Sequence, residues 1–390
     1  MFAGRTNWDL SGNRFSRALE QHRNAGKELL DLMASNPTQC VFKYDQAAIL
    51  SALKNRDALH YQPLPKGLPA ARAAVAAYYR ERSSGRGVDP GSIILATSTS
   101  EAYSFIFRLL CEAGDELLVP APSYPLFELL GQIQDLRLAH YSLIYDHGWQ
   151  MDFGSLRSAL TPRSRAVIVV NPNNPTGSFV KPQEIAALNE ICSQHEMAIV
   201  ADEVFLDYAH NDLPRPSLAF NHDALTFTIS GISKICALPQ MKLAWMLVSG
   251  PDALVREAVR RLEVISDTYL SMSAPLQLAL PAFLQQRHEL QRQITKRIRA
   301  NMQELDRQLA SYAACRRLQI EGGWYAVLRV PATRSDEDLA IALLEEKSVL
   351  AHPGHFYDFP DDGYLVLSLI TPLKKFRQGL RRLLGFINRD

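Results

Sequence analysis

Two periodicities alternate along the middle of this 390-residue chain. Short apolar runs occur at Ile93 to Ala96, Glu116 to Val119, Ala166 to Val170, Met197 to Ala201 and Thr226 to Ile229, most of them continuous rather than alternating. Continuous runs of that length suit strands buried on both faces, as in a parallel sheet covered by helices. Between them the spacing becomes helical. Glu101 to Cys111 places Ala102, Phe105, Ile106, Leu109 and Leu110 on one face, and Lys181 to His195 opens with Pro182 and repeats Ile185, Leu188 and Ile191. Strand, helix, strand in this order predicts an α/β fold with a mostly parallel sheet. A long helical stretch from Ser271 to Ala310 leads to strand-rich segments at Ala326 to Val330 and Tyr364 to Leu369, which predict a smaller α+β C-terminal domain. The expected division is an N-terminal segment over 1–45 packing with the small domain, a large domain over 46–270 and the small domain over 271–390.

Charge and cysteine usage narrow the partners. With 42 Lys and Arg against 41 Asp and Glu, the formal charge of +1 offers no field for a polyanion, so nucleic acid is not an expected partner. The five cysteines are scattered, with no CxxC pair and no zinc-site spacing, which favours a reduced, cytoplasmic protein without a metal. The N-terminal MFAGRTNWDLSGNRF lacks the apolar stretch of a signal peptide, and no run is long enough to span a bilayer. Neither export nor membrane insertion is expected.

Ligands of open α/β sheets bind beyond the carboxyl ends of the strands, so the residues following each predicted strand carry the most information. They are Thr97-Ser98-Thr99-Ser100, Pro120 to Pro125 with Tyr124 inside, Asn171 to Gly177 (NPNNPTG), Asp202, and Lys234 within Ser230-Gly-Ile-Ser-Lys234. Together they offer an anion cradle, an aromatic ring, an amide, a carboxylate and an amine on one rim. A lysine just after a buried strand, among small residues, can form an imine with an aldehyde cofactor, which then serves as an electron sink. Asp202 can keep a pyridine nitrogen protonated, or simply cap a helix. Asn174 can donate to a phenolic oxygen, or only shape a turn. Hydroxyls and free N–H groups at Ser98, Thr99 and Ser100 suit a phosphate at a helix N-terminus, although such residues are also ordinary caps. Tyr124 can stack on a flat ring or pack in its Pro-rich turn, and Lys242 can reach the same phosphate as a point charge.

Assembled, these residues resemble the fold type I pyridoxal-phosphate enzymes, specifically the class I/II aminotransferases. The likeness runs from Ser35-Asn-Pro-Thr38 to the strand at Gly363 to Ser368, and Asn171 to Gly177 matches the family's NPxNPTG motif in full, followed by ADEV at 201–204 and SxxSK at 230–234. The resemblance implies an aspartate aminotransferase-like fold whose large domain binds pyridoxal 5'-phosphate. It implies Lys234 as the Schiff-base lysine, Asp202 on the ring nitrogen, Asn174 on the ring oxygen and Tyr124 stacked on the ring. Tyr61, ahead of Gly67 and Arg72, resembles a tyrosine that reaches the phosphate across a dimer interface. A homodimer with shared sites, an amino donor and a keto acceptor are therefore expected.

Four positions depart from the family's pattern. Phe205 stands where a tyrosine is usual, Lys242 for an arginine, Gly231 for a frequent serine, and Val366 for the arginine that forks onto a substrate α-carboxylate. Arg329, His352 and His355 are the candidates to supply that charge instead. Transamination is the leading expectation. β-Elimination, decarboxylation or a synthase reaction on the same platform are alternatives, and so is a cofactor-binding sensor without turnover. Sensors of that kind carry a DNA-binding segment ahead of this fold, for which the residues before Ser35 are too few.

Overall fold

The computed structural model describes residues 1–211 and 215–388. Its centre is an eight-stranded sheet. In spatial order the strands are Ile93–Ala96, Ala244–Ser249, Thr226–Gly231, Ala198–Asp202, Ser164–Val170, Glu116–Ala121, Arg137–Tyr145 and Trp149–Met151. The five from Thr226–Gly231 to Arg137–Tyr145 run parallel, whereas Ala244–Ser249 and Trp149–Met151 are antiparallel to their neighbours. All five strands read from the apolar runs are present. Three more join them, including Arg137–Tyr145, whose residues are mostly half-buried or exposed and so lack a continuous apolar signature.

Alternate residues of each strand feed opposite faces of the sheet. Ile94, Ile168 and Val200 pack with Phe105 and Ile106 of helix Thr99–Leu110 and with Leu262 of helix Asp252–Tyr269. On the other face Val167, Val169 and Ile199 meet Leu188 and Ile191 of helix Pro182–Gln194, and Ile93 and Leu95 meet Val75, Tyr79 and Phe283. Covering both faces this way is what makes the strands read as unbroken apolar runs.

The second sheet is antiparallel, in the order Arg316–Arg317, Tyr325–Arg329, Tyr364–Ser368 and His352–Pro353. Leu380, Leu383 and Leu384 of helix Leu373–Ile387 and Ile294 and Ile298 of helix Ala274–Leu309 close its core. The single helix expected over Ser271 to Ala310 is this last one, beginning three residues later, after a break beyond Tyr269. Leu30–Asp31 pairs with Val349–Leu350, and Phe15 of helix Arg14–Asn24 packs with Ala340 and Leu350. The two sheets meet where Gly177 accepts backbone bonds from Glu321 and Gly322 at 3.1 and 2.9 Å. Gly177 has φ +70°, and a β-carbon there would lie 2.5 Å from the Gly322 oxygen, so the approach requires glycine.

Candidate active site

Three asparagines share the Asn171–Gly177 loop, and their hydrogen bonds separate them. Asn171 donates to Glu203 at 3.1 Å and accepts from the Val180 amide at 3.1 Å. Asn173 donates to Pro122 O and Thr176 Oγ1 and accepts from Ser123 Oγ at 3.0 Å. Both are spent on holding the loop. Asn174 is 7% exposed and its Oδ1 is buried without a partner. A buried amide left open costs about 1–3 kcal/mol, which marks Asn174 as the one available to a ligand.

Asp202 ends its strand close by. Its Oδ1 accepts from the Val204 amide at 3.1 Å and its Oδ2 from the Tyr103 hydroxyl at 3.2 Å. Burial pushes this carboxyl up to about 6, against the lowering effect of those two bonds and of the Lys234 charge. Tyr103 is fully buried on helix Thr99–Leu110, edge-on to Phe127. Sequence reasoning passed over it, although a hydroxyl among Ala102, Phe105 and Ile106 on an apolar face was the available signal.

Lys234 sits in the one-turn helix Ile232–Ile235, directly after the strand that ends at Gly231. The Tyr208 hydroxyl fixes that turn by donating to Lys234 O at 2.7 Å. Lys234 Nζ lies 5.6 Å from the Phe205 ring centre and 5.2 Å from that of Trp324. Burial lowers the ammonium below its ordinary value and the Asp202 charge partly restores it. Trp324 is the second residue missed. It follows the Gly322-Gly323 pair that docks on the Asn171–Gly177 loop, and its Nε1 is buried without a partner. Phe205, where a phenol was expected from the family pattern, is 4% exposed and edge-on to Trp324 at 5.2 Å.

The remaining predicted residues occupy the rim unevenly. Ser98 Oγ caps its helix by accepting from the Glu101 amide at 3.1 Å, and Glu101 Oε2 accepts from the Thr97 amide at 2.7 Å. Thr99 and Ser100 open that helix, where the first N–H groups have no intrahelical partner. Tyr124 is 45% exposed, and burial with the Asp202 charge raises its phenol. Lys242 is exposed at the start of strand Ala244–Ser249. Gly231 leaves no room for the serine frequent in the family, because a β-carbon would lie 2.9 Å from Leu243 O and 3.0 Å from the Ala244 backbone. Tyr61 does not join Lys234 within one chain. It is 78% exposed in a groove of about 640 Å³ with Leu59, Leu64 and Leu270. Arg329 also turns elsewhere: its guanidinium covers the Tyr364 ring at 4.5 Å and donates to that hydroxyl. His352 meets the Tyr357 hydroxyl at 3.1 Å, and His355 is exposed.

Fold and rim together define an aspartate aminotransferase-like architecture centred on a lysine. The sequence pattern of the family described as Aminotransferase class I and II matches residues 27–372, and the chain belongs to that family of pyridoxal-phosphate enzymes. A glutamate-pyruvate aminotransferase of Escherichia coli strain K12 is 30% identical over 260 residues, 66% of this chain and 64% of that protein's length. An alanine aminotransferase of Mycobacterium bovis is 23% identical over 370 residues, 93% of this chain and 86% of the other. In fold, the chain superposes on an alanine aminotransferase from Pyrococcus furiosus with a TM-score of 0.90 over 100% of both chains at 21% identity.

Proposed function

We propose that this chain is an aminotransferase that holds pyridoxal phosphate on Lys234 and moves an amino group between a donor and a keto acceptor. The observation that carries the reading is the meeting of one free amide, one carboxylate and one unpaired amine at neighbouring strand ends. Asn174 Oδ1 has no partner, its Nδ2, the atom that would donate, is in no hydrogen bond among the described residues, and neither hydrogen bond nor ion pair engages Lys234 Nζ there. These residues suit the cofactor, which when bound supplies an electron sink for the substrate carbon. Asn174 would donate to its ring oxygen and Asp202 would hold the proton on its ring nitrogen. The amides and hydroxyls of Ser98, Thr99 and Ser100 would take the phosphate, with Lys242 as a point charge and the helix dipole in support. Tyr124 would cover the ring.

Lys234 does two things in this reading. Its lowered basicity enlarges the uncharged fraction that could bond to an aldehyde, and its amine would carry a proton to and from the substrate carbon. Burial raises Asp202 to about 6, while the donors Tyr103 and the Val204 amide and the Lys234 charge favour its ionised form.

The assembly we propose is a homodimer in which Tyr61 reaches the partner's phosphate site. The groove around Tyr61, with Leu59 87% and Leu270 58% exposed, supports it, since apolar surface gathered in one place marks an interface. A division at residues 45 and 270 is supported by the pairing of Leu30–Asp31 with Val349–Leu350 and by the break after Tyr269. All five cysteines are free, which supports a cytoplasmic setting. Among the described residues no helix is long and apolar enough to cross a membrane.

Borohydride reduction of the protein loaded with cofactor, followed by peptide mapping, tests the central assignment. The adduct is expected on Lys234 and absent in Lys234→Ala. An adduct on Lys242 would overturn it.

A further inference from the structure

The small-domain sheet presents one face towards the site, and its chemistry restricts the substrate. Residues directly opposite in an antiparallel pair share a face. On this face lie Tyr325 with Ser368, Val327 with Val366, and Arg329 with Tyr364, while His352 flanks Val366 from the other side. The Tyr325 end is the one near Lys234, because the Phe205 ring that flanks Nζ is also edge-on to Tyr325 at 6.2 Å. Moving away from the amine, the next pair is Val327 and Val366, both fully buried. Met33, Trp149, Tyr357 and Phe359 close over them in one apolar cluster.

No cation serves this wall among the described residues. The guanidiniums on the face, Arg329 and the exposed Arg316 opposite it, lie at its far end, about 13 Å along the strand from Tyr325 at the usual rise, and Arg329 is committed to Tyr364. Lys181 and Arg215 pair with Glu321, and Arg297 bonds Cys40 O and Ile370 O. Burial lowers the His352 imidazole to about 4, so it is neutral at pH 7. The wall's unpartnered donors, Trp149 Nε1 and Trp324 Nε1, are neutral indoles. A carboxylate drawn from water into such surroundings needs a charged or multiply hydrogen-bonding partner, and each indole offers only one neutral donor.

We propose that the amino donor is a primary amine whose amine-bearing carbon carries apolar or aromatic substituents and no carboxylate. The proposal rests on the aminotransferase reading and specifies its substrate class. The donor's nitrogen would take the place of Lys234 Nζ, so groups on its carbon would meet Phe205, Trp324 and Tyr325 at the edge of the apolar cluster that covers Val327 and Val366. In the half-reaction R₂CH–NH₂ and water would become R₂C=O, leaving the elements of NH₃, two electrons and two protons on the loaded enzyme. A second carbonyl compound would take these back, leave as an amine and return the water.

Donor pairs that differ only in the carboxylate test this: phenethylamine with phenylalanine, tyramine with tyrosine, and isoamylamine with leucine. The readout is conversion of the loaded wild-type enzyme from its lysine-linked form to the pyridoxamine form, followed by visible absorption in single turnovers. In at least one pair the amine is expected to react at least tenfold faster than its amino acid. Val366→Arg should shift that ratio towards the amino acid by tenfold or more, but the wild-type ratio decides alone if the variant does not fold. Amino acids reacting faster in every pair would overturn the substrate class and leave the aminotransferase reading standing. Conversion by no member of any pair, or a carbonyl product without the pyridoxamine form, would overturn both.

Discussion

Asp202 carries opposite demands for stability and chemistry. Its folded carboxyl is raised by burial to about 6 from an ordinary 3.8. The folded, cofactor-free protein therefore binds more protons than the unfolded chain between about pH 4 and 6, so its stability falls as pH rises through that window and stays reduced above it. The penalty at pH 7 is on the order of 3 kcal/mol. Asp202→Asn should remove it: thermal unfolding without cofactor should show the variant more stable than the parent at pH 7 and level with it at pH 4. The same variant should lose on the order of 10³ in turnover, since an amide cannot hold the proton on a pyridine nitrogen. A variant that is both stabilised and active would sink the role assigned to Asp202. Tyr103 tunes the same group. Its hydroxyl lowers the Asp202 carboxyl, so Tyr103→Phe should widen the pH window of the stability loss upward.

At the scale of elements, glycines set how closely the loop at Asn171–Gly177 and the segment before Trp324 approach. Gly177 and Gly323 both have positive φ, +70° and +81°, but only Gly177 faces backbone at contact distance. Gly177→Ala should cost about 3 kcal/mol, from left-handed strain and the clash with Gly322 O together. Gly323→Ala, with nothing within 4 Å of its β-carbon, should cost about 1 kcal/mol from strain alone. Denaturant midpoints of the two variants check the difference, and equal losses would show that the approach is not tight. The helix starting at Thr99 illustrates a second point. Ser98 both caps it and stands at its N-terminus, so the ordinary reading of that serine and the phosphate reading are compatible rather than rival.

The whole molecule makes its own prediction through the groove around Tyr61. Leu59 is 87% exposed in the single chain, so Leu59→Glu should leave the monomer's fold intact. In a dimer that buries the groove, the added charge should dissociate the subunits. Sedimentation equilibrium should give twice the chain mass for the parent and the chain mass for the variant, with weakened cofactor retention if Tyr61 serves the partner's site. A parent that sediments as a monomer would remove the dimer from the reading.

What the sequence determined by itself was whatever depends on local pattern. Continuous apolar runs located the parallel strands because both faces of each are covered, and the positions after those strands put the Asn171–Gly177 loop, Asp202 and Lys234 at neighbouring strand ends, where ligands of such sheets gather. Arg137–Tyr145 escaped the same reading because its residues are mostly half-buried or exposed, which leaves no clean period. Only the tertiary structure decided which of three adjacent asparagines remains free, since that depends on partners as distant as Glu203, Ser123 and Pro122. It alone placed Tyr103 on Asp202 and Trp324 over Lys234, and turned Arg329 onto Tyr364. The physical reason is common to all of these. A motif sets the type of a side chain and the strand end it occupies, whereas its hydrogen bonds, burial and charge state are set by elements that arrive from elsewhere in the chain.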